Sequence, residues 1–162
     1  MGAYYVDSSA LVKRHIEEPG SEYVERLLND PENVIYVSRI AGAEVVSAIT
    51  RRGRGVRQDL ERTREKVQEF RTHLRSRYRV LDVTAAFVTQ AMDLAERHAI
   101  RGYDSVHLAT ALAIRQVRVS RNLSSPVLVS SDDELNAAAA VEGLEVINPL
   151  NPADEPSAGN ST

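Results

Sequence analysis

Residues 3–12 read Ala3-Tyr4-Tyr5-Val6-Asp7-Ser8-Ser9-Ala10-Leu11-Val12. An apolar and aromatic run meets an acid, and two serines separate that acid from a second apolar run. A carboxylate at the edge of a core is expensive unless something pairs with it. Two readings fit. Asp7 caps a helix that begins just after it, a position that Asp favours. Alternatively, Asp7 stands at the carboxyl end of a parallel strand, where open α/β sheets collect their ligands. The second reading needs a parallel sheet, so the rest of the chain has to supply one.

Further runs of the same kind follow: Val34-Ile35-Tyr36-Val37, Val80-Leu81-Asp82-Val83, Val127-Leu128-Val129 after Pro126, and Leu144-Glu145-Val146-Ile147. They are short, mostly β-branched, and none alternates cleanly, which is the pattern of strands buried on both faces. Helical segments lie between them. One follows Pro19-Gly20 from Ser21 through Leu28, and one runs from Ile40 to about Arg52, ended by Gly53 and Gly55. Val56, Leu60, Val67, Phe70, Leu74 and Tyr78 form one apolar stripe on a long helix. Thr84 caps a helix to about Ala99, with Phe87, Val88, Ala91, Met92 and Ala95 as its expected core face. Gly102-Tyr103 reads as a break, and Asp104 to Ile114 as a helix apolar nearly all round and therefore buried. Asp132 or Asp133 starts a last helix through Ala140, which Gly143 stops. Strands alternating with helices predict a three-layer α/β/α fold around a mainly parallel sheet. Right-handed crossovers then bring the carboxyl ends of the strands to one edge. Residues 1–149 read as a single domain, and 150–162, rich in Asn, Pro, Ser, Gly and acids, as a disordered tail.

The 162 residues suffice for a real core, and 43% hydrophobic with 27% charged residues is ordinary for a soluble globular protein. No stretch of about eighteen apolar residues predicts a membrane span. The N-terminal residues lack a secretory pattern. With no cysteine, disulfides and thiolate-bound zinc are excluded, and a cytoplasmic, reducing setting is the expectation. The net charge of −3 argues against a surface coated for nucleic acid, but it hides an asymmetry. From Arg51 to Arg79 eleven basic residues face four acids, a local +7, and the remainder of the chain carries −10. Such a segment is either a solvated helix with internal ion pairs or a contact surface for a polyanion. Arginine outnumbers acid too far for pairing to consume it.

Asp7, Asp104 and Asp132 or Asp133 occupy one topological slot, the end of a strand or the start of a helix, and Glu44 approaches from the helix after the second strand. Each has a plain reading, as a cap or a surface acid. Together they make a carboxylate cluster that cannot remain ionised in a dry cleft without a cation. Oxygen donors without cysteine or clustered histidine select Mg²⁺ or Mn²⁺. Such an ion activates water and holds a phosphodiester oxygen, which would give the arginine-rich segment a polyanionic substrate. His107, three residues after Asp104, either touches the site or is a satisfied core residue. Gly53 and Gly55 form no phosphate loop, since no Gly-Lys-Ser or Gly-Lys-Thr follows.

The segments YYVDSSALVKR, AEVVSAI, RGYDSVHLATALA and VLVSSDDELNAAAAVEGLEVINP, in this order over residues 3–149, resemble the PIN-domain family, and more narrowly the VapC toxins of prokaryotic toxin–antitoxin pairs. The resemblance implies that Asp7, Glu44, Asp104 and Asp132 are the family's acids, with Asp7, Asp104 and Asp132 holding Mg²⁺ or Mn²⁺ and Glu44 a further ligand or the group that orients the attacking water. Ser130, two positions before Asp132, and Ser8 would orient carboxylates, and Asp133 falls at a variable position. It also implies hydrolysis of RNA to a 5′-phosphate and a 3′-hydroxyl, a homodimer, and silencing by a small antitoxin protein. The segment Arg52–Arg79 is richer in arginine than the family's motifs require; Arg57, Arg64, Arg71 and Arg75 are its candidate contacts to RNA or partner. The competing reading is a non-catalytic α/β module, or a receiver that uses its acids for a cation or a phosphoryl signal. A receiver needs a lysine near its last strand, and no lysine follows Lys66.

Overall fold

The computed structural model describes residues 2–55 and 60–152. Strand β1 (Ala3–Val6) leads directly into a short helix α1 (Ser8–Leu11) and a 3-10 turn (Val12–Arg14). Then come α2 (Ser21–Asn29), β2 (Val34–Ser38), α3 (Ile40–Gly55), α4 (Leu60–Ser76), β3 (Arg79–Leu81), α5 (Ala85–His98), α6 (Gly102–Ser120), β4 (Val127–Val129), α7 (Asp133–Val141) and β5 (Glu145–Ile147). The strands form one sheet in the order β3-β2-β1-β4-β5, and every pairing is parallel. The α/β/α layering read from the alternation of segments is therefore the fold.

Tyr5 lies opposite Tyr36 on one side and Leu128 on the other. Side chains alternate between the faces of a strand. Accordingly Tyr5 and Leu128 join the core beneath α5, α6 and α7. Val6, Ile35, Val37 and Val129 join the core beneath α1 to α4. The chain builds outward from β1 to β2 and β3, then returns to lay β4 and β5 on the other side. The order therefore reverses between β1 and β4, and a crevice opens at the carboxyl ends of strands at such a switch point. Asp7 ends β1, and Ser130 to Asp132 follow β4.

Several boundaries differ from the sequence reading. α3 continues through Gly53 to Gly55. Gly53 is there for close approach rather than as a stop, since a Cβ on it would lie 2.3 Å from Thr63 Oγ1 of α4. Gly102 and Tyr103 open α6 instead of breaking the chain, and α6 continues to Ser120. On α5, Ala91 and Leu94 are buried whereas Val88 and Met92 are exposed. The residues 87, 91, 94 and 98 recur by fours and threes and turn inward, and small Ala91 lets α5 approach α6, the helix against which it packs most extensively. On α4, Phe70 is fully buried but Leu60 is 70% exposed, so the apolar stripe is buried only over its later turns. Val56 and Arg57, and the tail beyond Pro152, lie outside the described residues.

Candidate active site

Asp7 caps α1 and also stands at the carboxyl end of a parallel strand. Its Oδ1 caps α1, accepting from the Ala10 N–H at 3.0 Å, and the residue is 2% exposed at the end of the central strand. Ser9 Oγ lies 2.8 and 3.0 Å from its two oxygens, and the Ser130 hydroxyl donates to Oδ2 at 3.0 Å. The hydroxyl that meets Asp7 from α1 is thus that of Ser9, while Ser8 lines the cleft beside it. The two serines also tie β1 to β4. Ser9 Oγ accepts from the Ser131 N–H at 2.9 Å, and Ser130 Oγ accepts from the Asp132 N–H at 3.0 Å. Burial raises the Asp7 carboxyl above its ordinary range, and the charge of His107, the Ala10 N–H and the two serine hydroxyls offset this only in part.

Asp132 is the N-cap of α7, with Oδ1 accepting from the Leu135 N–H at 2.9 Å. Its Oδ2 takes Nη2 of Arg101 at 2.5 Å. Nε of the same guanidinium reaches Asp104 Oδ2 at 3.1 Å. Asp104 sits in the first turn of α6. Its carboxyl is raised, first by burial and then by the charge of Asp132, against the opposing pull of Arg101. Asp133 is exposed and turns away, accepting from Asn148 Nδ2 at 3.2 Å.

Glu44 is reached from below. His107, fully buried, places Nε2 2.7 Å from Glu44 Oε2 and Nδ1 2.7 Å from the Tyr5 hydroxyl. Burial pulls the imidazole down. The hydrogen bond to Glu44 and the charges of Asp7, Glu44 and Asp104 outweigh it, so the net direction is up. In the charged form both ring N–H groups donate. His107 is therefore at once a buried core residue and the support of a site carboxylate.

Four candidate acids are joined in this way: Asp7 to Asp132 through Ser130, Asp132 to Asp104 through Arg101, and Glu44 to the others through the charge of His107. Sequence reasoning missed Arg101, Tyr5 and Ser9. Arg101 had a signal. A cation at the positive end of a helix is unfavourable unless acids answer it, and Asp104 stands three residues on, at a spacing that meets on a helix surface. Tyr5 and Ser9 had none beyond proximity to Asp7.

A cleft of about 500 Å³ opens beside Glu44, lined also by Ser8, Ser9, Ser47, Arg51 and Tyr103 among others. It shares Ala43, Ser47 and Arg51 with a second groove of about 620 Å³ between α3 and α4, which adds Arg54, Phe70, Arg71 and Leu74. Arg64, Arg71 and Arg75 are exposed on α4, and Arg71 alone of them lines this groove. Among the described residues, no group of three or more His, Cys, Asp or Glu side chains is arranged to hold a metal ion as it stands.

Residues 4–141 match the PIN domain family. The chain is 32% identical over 149 residues to ribonuclease VapC46 of Mycobacterium tuberculosis, covering 92% of this chain and 99% of that protein. Among solved structures, M. tuberculosis VapC20, a sarcin–ricin-loop cleaving toxin, superposes with a TM-score of 0.61 at 20% identity, over 83% of this chain and 94% of that one. VapBC2 of Rickettsia felis, solved bound to a DNA fragment from its promoter, gives 0.57 at 18% identity, over 90% and 98%. The central parallel sheet, the acids gathered at its switch point and these likenesses agree: this chain belongs to the PIN-domain family and is homologous to the VapC-type toxins.

Proposed function

We propose that this protein is a divalent-metal-dependent endoribonuclease and the toxin of a toxin–antitoxin pair. The observation that carries the reading is the linked set Asp7, Glu44, Asp104 and Asp132 at the carboxyl edge of the sheet, in a chain of this family. The donor chemistry fits Mg²⁺ or Mn²⁺, because every candidate ligand is a carboxylate oxygen. The raised carboxyls of Asp7 and Asp104 support it too, since charge there is costly without a neighbouring cation. When bound, such an ion supplies the Lewis acidity that activates water and stabilises charge on the phosphate.

The chain's own residues do the rest. Asp7, Asp104 and Asp132 would hold the ion once Arg101 no longer bridges Asp104 and Asp132. Ser9 and Ser130 keep Asp7 in one orientation. Glu44 accepts the proton of the attacking water, with His107 holding one of its oxygens and Tyr5 holding His107. The exposed arginines of α3 and α4 meet the RNA backbone or an acidic partner. Exposed apolar Val88 and Met92, four residues apart on α5, support a homodimer. The likeness in fold to solved toxin–antitoxin complexes supports a small antitoxin as partner. No described helix is long and apolar enough to cross a membrane.

The test is cleavage of cellular RNA in Mn²⁺ and in EDTA, with 5′ ends mapped by sequencing. Wild-type protein is expected to produce discrete 5′-phosphate ends only with metal, and Asp104→Asn to produce none. Metal-independent cleavage, or undiminished cleavage by Asp104→Asn, would sink the reading.

A further inference from the structure

Asp104, three residues on, answers only part of what places Arg101, since the same guanidinium also reaches Asp132, 31 positions away. Arg101 precedes α6 in extended backbone (φ −64°, ψ 152°) and its side chain caps nothing. The positive end of a helix repels a cation. Its side chain is 71% exposed, while those of Asp104 and Asp132 are 14% and 18% exposed. The guanidinium therefore lies across the mouth of the site and bridges two carboxylates that would otherwise repel one another.

The atoms it uses matter. Asp132 Oδ1 caps α7, and Arg101 holds the other oxygen, Oδ2. On Asp104, Arg101 holds Oδ2 as well. A divalent cation drawn to both carboxylates meets a monovalent cation already there, and the two repel at contact distance. One must leave, and the side chain at the exposed rim is the one able to move.

We propose that Arg101 is a positioning residue serving two anions in turn. Without metal it is the internal counter-ion that closes Asp104 and Asp132; when metal enters, it is displaced to the rim and takes the phosphate of the incoming RNA. A guanidinium suits both roles, because its planar fork matches carboxylate and phosphate alike. The inference rests on the metal-dependent nuclease reading, and it assigns Arg101 opposite effects on the two ligands. Against the metal it competes; toward the RNA it attracts.

Titration calorimetry of the full chain with Mn²⁺, for wild type, Arg101→Gln, Arg101→Lys and Asp104→Asn, measures the first effect. Binding of an unstructured RNA oligonucleotide in Ca²⁺, with a gel to show it intact, measures the second. Arg101→Gln is expected to bind Mn²⁺ roughly two- to fivefold more tightly, the factor for losing an exposed ion pair, and to bind the RNA more weakly. Arg101→Lys, which keeps the charge but not the fork, should fall between. A glutamine variant whose two affinities shift in the same direction, or whose Mn²⁺ affinity does not change, overturns the proposal. Failure of Asp104→Asn to weaken Mn²⁺ binding would overturn the metal reading itself. Loss of Mn²⁺ binding in Asp104→Asn beside an unchanged Arg101→Gln would overturn only the role of Arg101.

Discussion

His107 links residues far apart in sequence: Tyr5 lies 102 positions away and Glu44 63. Glutamine cannot span both partners, and a buried hydrogen bond to a charged group is worth about 1.5–3 kcal/mol. His107→Gln should lower urea stability at pH 6 by roughly that amount. The pH dependence has a definite sign. The folded His107 titrates above its ordinary 6.5, so its stabilisation is fully present below about 6.5 and is lost as pH rises through the folded value. Wild-type stability measured from pH 6 to 9 should therefore fall across that range, and the glutamine variant should be flatter. Asp7 behaves differently in use but alike in sign. Its folded pKa lies above 3.8, so its ionised form costs stability at neutral pH. Asp7→Asn keeps an acceptor for the Ala10 N–H and loses the charge. In EDTA it should melt at or above the wild-type temperature, and Mn²⁺ should raise the Tm of wild type but not of the variant. A lower Tm in EDTA would show that the anion itself, not its shape, holds β1 to β4.

At the scale of elements, the close approach of α3 to α4 depends on Gly53. A glycine in a helix costs about 1 kcal/mol against alanine, so Gly53→Ala would ordinarily stabilise α3. Here the new Cβ meets Thr63 Oγ1 at 2.3 Å, and that gain should vanish or reverse in the single variant. Adding Gly53→Ala to a Thr63→Ala background should recover up to about 1 kcal/mol. Additive effects in this double-mutant cycle, read by urea denaturation, would show that α4 shifts to admit the methyl group. The element scale is also where binary pattern was ambiguous. α5 carries two candidate apolar stripes, and packing against α6 selects the one with Ala91 and Leu94, leaving Val88 and Met92 outside.

Over the whole molecule, Arg51, Arg54 and Arg71 of the basic segment line a groove that shares Ala43, Ser47 and Arg51 with the cleft beside Glu44, and Arg64 stands exposed on α4 outside that lining. Arg64 and Arg71 make no hydrogen bond or ion pair among the described residues, so their charge is available to an anion. If they contact phosphates, each contact reduces the slope of log affinity against log salt by about 0.7 for single strands. Arg64→Gln with Arg71→Gln should therefore flatten the RNA-binding slope by up to about 1.4, measured as isotherms at several salt concentrations. An unchanged slope assigns this helix to a protein partner instead. What the sequence determined alone was local: short β-branched runs between helix caps and turns, hence a parallel sheet, and Asp7 and Asp132 at strand ends, because strand and helix periodicity is written within a few residues. What only the tertiary structure decided was partnership. That Ser9 rather than Ser8 meets Asp7, that Arg101 bridges Asp104 and Asp132, and that Tyr5 and Glu44 share His107 all depend on where parallel crossovers bring distant side chains. The pairing of a polar group follows from which donor or acceptor the packed chain delivers to it, and the spacing of residues along the sequence carries no record of that choice.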